Sequence, residues 1–219
     1  IASDLKERIN AMNSNLEEGK ISKNSFKQFV DTGNQMAELI LNNLSRASEL
    51  VKKFKKISID EADDKVQVVN LKKLFMKIDA EFQPIVNQKT ISLALNINED
   101  LEVGTYPEAL AQVFSSLMIN SAIHGFKDMK EGVIRISGKV IDDKIELIYQ
   151  DNGKGMNEET VSKLFDPFFT TDRSHGTGLG MNIVYNLLTR KLKGKITCES
   201  AVGQGAKFNI TIPLVKINQ

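Results

Sequence analysis

The stretch from Asp151 to Asn182, DNGKGMNEETVSKLFDPFFTTDRSHGTGLGMN, constrains this chain more than any other. Two glycine clusters, Asp151-Asn152-Gly153-Lys154-Gly155 and Gly176-Thr177-Gly178-Leu179-Gly180, bracket a Phe-Pro-Phe-Phe segment. Glycine reaches positive φ without a Cβ clash and leaves room for another group to approach the backbone. The stretch therefore reads as the wall of a pocket closed by a mobile flap, with the rest of the chain as its support. A polar helix upstream, around Asn120, completes the set.

The 219 residues suffice for one or two domains with a real core. A net charge of +1 gives no case for nucleic-acid binding or a membrane-surface patch. The one cysteine, Cys198, excludes an internal disulfide framework and points to a reducing compartment. No apolar run reaches the roughly 18 residues a membrane helix needs. Ile1 is not a start methionine and no signal peptide follows it, so the chain reads as a piece of something longer.

Residues 1–17 read as a helix, with Ile1, Leu5, Ile9, Met12 and Leu16 on one face and a break at Gly19. Ser22 is the expected N-cap of a longer helix to about residue 57. Its apolar or small positions (Phe26, Val30, Gly33, Ala37, Ile40, Leu44, Ala47, Val51 and Phe54) alternate steps of four and three, as a coiled-coil seam does. Phe29, Met36 and Leu50 widen that face toward a four-helix bundle, which a homodimer of hairpins would supply. The other reading is a hairpin packed on its own domain. Residues 58–65 are acidic and aperiodic, a linker. Beyond it the pattern predicts strands at 66–70, 91–97, 101–105, 133–140, 144–150, 195–200 and 206–213. It predicts helices at 71–86, 107–126 and 181–192, with Pro84 kinking or ending the first. The fold class is α+β, a mixed sheet with helices on one face.

On the middle helix, Leu110, Val113, Phe114, Leu117 and Met118 form a core face, and Ser116, Asn120 and His124 a polar stripe. The stripe is either a solvated face or, since it lacks Lys, Arg and Glu, a site where the Asn120 oxygen meets Mg²⁺ held by phosphates. His124 alone reads as a hydrogen-bonded structural residue. Asp151 ends a strand and opens a glycine turn. It is either an ordinary Asp-Asn-Gly turn or a carboxylate that accepts from the exocyclic amine of adenine and repels the carbonyl of guanine. Met156 would then be a soft apolar wall. Phe165–Phe169 is aromatic-dense and reads most simply as core; the polar Thr170–His175 segment that follows carries Arg173 and leads into Gly176–Gly180. Gly176–Gly180 abuts a helix start, where N–H groups attract phosphate oxygens. A P-loop, a zinc cluster and a Ser-His-Asp set are absent from the sequence.

Together these stretches resemble the catalytic ATP-binding domain of bacterial sensor histidine kinases, of the GHKL ATPase superfamily. Asn120 in SSLMINSAIHGF resembles the N box, Asp151–Gly155 the G1 box, Phe165–Phe169 the F box and Gly176–Gly180 the G2 box, in order and spacing. The match covers roughly 66–215. The hairpin 1–57 resembles the dimerisation and histidine-phosphotransfer domain, especially in NNLSRASELVKKFKKIS.

The resemblance implies a two-layer α/β sandwich (the Bergerat fold) at 66–219, preceded by a long antiparallel helical hairpin. It implies Mg²⁺ and ATP as cofactors. Asn120 would bind Mg²⁺, Asp151 the adenine amine, and Gly153 and Gly155 would shape the adenine pocket. Thr170, Thr171, Arg173, Gly176, Thr177, Gly178, Leu179 and Gly180 would belong to the lid over the phosphates, with His124 near them. The implied partners are a second copy through 1–57, a response-regulator receiver domain and an upstream sensor domain, with no nucleic acid. The implied place is the cytoplasm, or the cytoplasmic part of a membrane-bound sensor.

Four departures from the family pattern stand out. The only histidines are His124 and His175, so the phosphoacceptor of the hairpin is absent; truncation just past it is one cause, and loss of kinase activity the other. Ser116 replaces an asparagine, Asp172 a lysine and Ala206 a threonine. The leading expectation is an ATP-dependent protein histidine kinase core feeding a response-regulator aspartate. The alternatives are a nucleotide-gated dimeric binding module or pseudokinase, and another ATPase of the gyrase, mismatch-repair or heat-shock type. The short lid and the coiled-coil hairpin argue against that last class.

Overall fold

The computed structural model describes residues 2–20, 22–38, 40, 65–86, 90–171 and 178–215. The chain divides into two compact units, Ile1–Ser58 and Ile59–Gln219. In the first, α1 spans Ala2–Glu17 and ends at Gly19, whose φ is +66°. Residues 23–38 form α2. Ser22 caps it as expected: its hydroxyl accepts from the Ser25 N–H at 3.1 Å, and its carbonyl accepts from Phe26 N–H. Ile9, Leu16, Phe26 and Val30 are exposed in the single chain. The part of the expected seam beyond residue 40, and the linker at 58–64, lie outside the described residues. No helix among the described residues is long and apolar enough to cross a membrane.

The second unit contains a ribbon of β1 (Gln67–Asn70) against β3 (Glu102–Thr105). Its main sheet has five strands in the order β2-β4-β5-β7-β6: β2 is Thr90–Ile97, β4 Glu131–Ile141, β5 Lys144–Asp151, β6 Lys195–Ser200 and β7 Ala206–Pro213. Only β2 and β4 pair in parallel. A parallel pair needs a crossover, and here β3 and α4 (Pro107–Asn120) supply it.

Alternation along the strands sends one set of side chains inward. Ile134 and Ile136 of β4, Ile145, Leu147, Tyr149 and Asp151 of β5, and Phe208, Ile210 and Ile212 of β7 are buried, while Glu146, Ile148 and Gln150 are not. Helices cover that face. α3 (Leu71–Phe82) contributes Leu71, Phe75, Ile78 and Phe82, and α4 contributes Leu110, Val113, Phe114, Leu117 and Met118. α6 (Gly180–Asn186) adds Met181 and Val184. The result is the expected α+β sandwich of one helical and one sheet layer.

Local chemistry explains the element ends. Asn70 caps α3 by accepting from Lys73 N–H at 2.9 Å. Pro84 falls in a 3-10 turn, Gln83–Val86, where the helix stops. A short helix the sequence pattern did not show, α5 (Glu158–Lys163), is capped by the Asn157 side chain accepting from Thr160 N–H. α4 does not run on as an α-helix to Phe126. It opens into a π-helical turn, Ser121–Gly125, closed by Phe126 N–H on the Ser121 carbonyl at 2.7 Å. The extra residue in that turn means Asn120 and His124 are no longer one α-turn apart.

Phe114 is fully buried at the centre, with ring centroids 4.5 Å from Phe75 and 6.3 Å from Tyr149. Replacing it with alanine removes contacts to both layers. Phe114→Ala is expected to lower unfolding free energy by about 3–5 kcal/mol, read from urea denaturation; a loss under about 1 kcal/mol would contradict this packing.

Candidate functional site

The site is built at the C-terminal end of β5. Alternation puts Tyr149 and Asp151 on the buried face, and Asp151 is only 4% exposed. A carboxylate there must find donors, because an unpaired buried charge is costly. It finds three. Asp151 Oδ1 accepts from Gly153 N–H at 2.9 Å and from Ala206 N–H at 3.2 Å. Oδ2 accepts from the Ser121 hydroxyl at 2.7 Å, and Ser121 Oγ in turn accepts from the Tyr149 hydroxyl at 2.8 Å. An ionised carboxylate offers about four acceptor positions, so one remains, on Oδ2. The Asp-Asn-Gly turn and the buried carboxylate are thus the same feature: Gly153 N–H on Oδ1 is the turn's own bond.

The glycines are required by close approach. A Cβ on Gly153 would lie 2.8 Å from the Gly125 backbone, and Lys154 N–H donates to the Gly125 carbonyl at 2.9 Å. Gly155 has φ +68°, and its Cβ would collide with the Ala201 carbonyl. So the turn after β5 is clamped between the π-turn and the β6–β7 loop. Met156 is half-buried against the core, and its N–H donates to Ser200 Oγ at 2.9 Å.

The second glycine cluster reaches the same helix end. A Cβ on Gly180 would lie 3.5 Å from Asn120 Oδ1, so the start of α6 sits beside Asn120. Asn120 Nδ2 is buried without a hydrogen-bond partner. In a folded protein such a group is an exception that asks for a ligand or water. Ser116 and His124 are, like Asn120, half-buried rather than solvated.

Gly178 has φ +68° and leaves no space for a Cβ against the Phe168 backbone, which itself has φ +67°. Phe168 is exposed while Leu179 is buried. Asn182 Nδ2 donates to the Phe165 carbonyl at 3.0 Å, and the Phe165 and Tyr185 rings lie 5.5 Å apart. These contacts join the two ends of the expected lid. Thr170 is half-buried and Thr171 exposed, whereas Arg173, Gly176 and Thr177 lie outside the described residues.

Among the described residues, no three His, Cys, Asp or Glu side chains cluster to hold a metal ion. A metal here would need oxygen donors from a ligand; the unpartnered Asn120 Nδ2 is a donor that fits an acceptor such as a phosphate oxygen, and only the Asn120 Oδ1 could face a cation shared with phosphates.

Sequence reasoning missed Ser121, Tyr149 and Gly125. Tyr149 had a signal, a hydroxyl two residues before Asp151 on the buried face of one strand. Ser121 had none, because the wide turn that aims it at Asp151 is not legible in the residue pattern.

Residues 105–216 match the family described as histidine kinase-, DNA gyrase B- and HSP90-like ATPase. The chain belongs to this ATPase family. The sensor histidine kinase ZraS of Salmonella typhimurium is 28% identical over 187 residues, which are 84% of this chain and 39% of that protein. The chain therefore spans about two fifths of the length of that relative. The catalytic domain of histidine kinase ThkA superposes with a TM-score of 0.59 at 27% identity, covering 68% of this chain and 95% of that one. The Acinetobacter baumannii histidine kinase AdeS, at 22% identity, shares the fold over 98% of this chain and 95% of its own, with a TM-score of 0.64. The expected resemblance to sensor histidine kinases is thus met by the family, by sequence relatives and by fold.

Within this ATPase fold burial, with the Asp151 charge adding to it, raises the proton affinity of two neighbouring groups. Burial pushes the Tyr149 hydroxyl well above the usual phenol range; the bond to Ser121 opposes this and the Asp151 charge adds to it. Burial, then the charges of Asp151 and Glu199, push the Cys198 thiol from 9.0 up to about 12. The folded chain thus holds a proton that the unfolded chain releases. Stability from this group is complete below pH 9 and is lost as pH rises toward 12. The urea midpoint is expected to fall across that window, and less steeply in Cys198→Ala. Iodoacetamide at pH 8 should label native Cys198 far more slowly than the urea-unfolded chain; equal rates would refute the assignment.

Proposed function

We propose that this chain is the ATP-binding kinase core of a two-component sensor histidine kinase. It would pass the γ-phosphoryl group to a histidine for relay to a response-regulator aspartate. The observation that carries this reading is the buried Asp151 carboxylate, held by three donors with one acceptor position left, beside glycines packed too closely for side chains.

That last position on Oδ2 accepts from the adenine amine. Gly153, Gly155 and Met156 shape the adenine pocket. The Asn120 amide serves the phosphate end, its oxygen toward Mg²⁺; Thr170, Thr171, Arg173, Gly176, Thr177, Gly178, Leu179 and Gly180 form the lid, with His124 near the phosphates. Mg²⁺, when bound with the nucleotide, neutralises phosphate charge. The chain's own part is positioning. The adenine anchor fixes one end of the nucleotide so that the γ-phosphorus faces an imidazole nitrogen. The P–N bond forms as the bond to the β-phosphate oxygen breaks, and ADP leaves.

Residues 1–57 are the dimerisation hairpin and 58–65 the linker. The exposed Ile9, Leu16, Phe26 and Val30 support a homodimer, since each buried apolar side chain contributes about 1.5–3 kcal/mol. The receiver domain of a response regulator is the downstream partner, and the kinase core works on the cytoplasmic side of the sensor.

Calorimetry separates the two site roles. Asp151→Asn weakens the charge-assisted bond and should reduce ADP affinity roughly ten- to a hundredfold with or without EDTA. Asn120→Ala should weaken Mg·ATP binding while leaving ADP binding in EDTA nearly unchanged. Unaltered Mg·ATP affinity in Asn120→Ala would remove the metal role, and unaltered ADP affinity in Asp151→Asn the adenine role.

The hairpin contains no histidine. The purified chain is therefore expected to bind nucleotide without acquiring acid-labile label from γ-labelled ATP, and label on the chain would overturn the assignment of the acceptor.

A further inference from the structure

The bond directions around Asp151 are fixed by chemistry. A carboxylate has no proton to give, so the Ser121 hydroxyl must donate to Oδ2. That uses the only proton Ser121 has, so its contact with Tyr149 must run the other way, with Tyr149 donating. All three groups are buried. The Ser121 backbone is fixed as well, because its carbonyl closes the π-turn by accepting from Phe126 N–H. Oδ1 is filled by the two backbone N–H groups. The one open acceptor position therefore lies on the oxygen that Ser121 holds, and a new donor must approach along its remaining lone pair, near the carboxylate plane.

We propose that Tyr149 and Ser121 are positioning residues that set base specificity: their relay commits the Ser121 proton to Asp151, so the base edge meets acceptors only. This rests on the reading of Asp151 as the adenine partner. An exocyclic amine can donate to the open position on Oδ2. A purine with a carbonyl at that edge meets no donor, because the Ser121 hydroxyl cannot turn to it without abandoning Asp151. Without Tyr149 the hydroxyl gains freedom to turn. Without Ser121, Oδ2 gains a second open position, and a ring N–H can use it. Either change admits the wrong base.

The test is the affinity ratio of ADP to IDP, which carries a carbonyl in place of the amine. It is measured by calorimetry on the full chain in EDTA, so that Asn120 and metal play no part. Ser121→Ala is expected to lower the ratio roughly three- to tenfold, the scale of one hydrogen bond to a charged group. Tyr149→Phe, which keeps the ring and so the packing, should lower it less. The double variant should be no worse than Ser121→Ala, because Tyr149 acts only through Ser121.

General loosening of the site would weaken both nucleotides alike and leave the ratio unchanged, which would overturn the proposal if Asp151→Asn does lower it. Full additivity of the two changes would also overturn the relay. If the wild-type chain does not prefer ADP, or Asp151→Asn keeps the wild-type ratio, the adenine reading itself has failed.

Discussion

A carboxylate taken out of water must be met by donors, and Asp151 meets its donors from separate stretches of the chain. Gly153 belongs to the turn after β5, Ala206 to the start of β7 and Ser121 to the end of α4. The turns on either side are drawn in with them. Gly205, at φ +71°, packs so that a Cβ would strike the Asp151 carbonyl, and Lys154 bridges to Gly125 and to Gly203 through backbone bonds. One acidic side chain therefore fixes the ends of two strands, one helix and two loops. Much of the geometry of the site follows from satisfying that charge.

The helical layer is irregular at two places. Both α4 and α6 widen into π-helical turns, at Ser121–Gly125 and Leu187–Lys191. A π-turn takes in one extra residue and so re-aims the chain beyond it. After α4 it places Ser121 against Asp151 and lets the Gly125 carbonyl accept from Lys154 N–H. After α6 the Leu187 and Leu188 carbonyls accept from Leu192 and Gly194, turning the chain into β6. The core face of α4, from Leu110 to Met118, stays α-helical, so the irregularity is confined to the site end.

The sequence carried the features that depend on periodicity. Alternation at Ile91–Ile97 marked a strand, the Asp142-Asp143 pair marked the hairpin that includes Lys144–Gln150, four-residue and three-residue steps marked helices, and Pro84 and Gly19 marked breaks. The juxtaposition of Asp151, Asn120 and Gly180 was legible only through resemblance to a family, since residues so far apart in the chain share no local pattern. α5 escaped because its six residues bury no side chain, so there was no apolar period to read. The π-turn escaped because its contacts are tertiary: Ser121 donates to Asp151 and the Gly125 carbonyl accepts from Lys154 N–H, and neither partner is near in sequence. The Ser121–Tyr149 contact was lost with it.

The close approach of Phe168 and Gly178, reinforced by Asn182 on the Phe165 carbonyl, pins the segment after α5 to the start of α6. That junction is intolerant, since a side chain at Gly178 would meet the Phe168 backbone. A substitution at Gly178 would therefore disturb the start of α6 while leaving the three donors of Asp151 in place, so the two ends of this stretch can be altered independently.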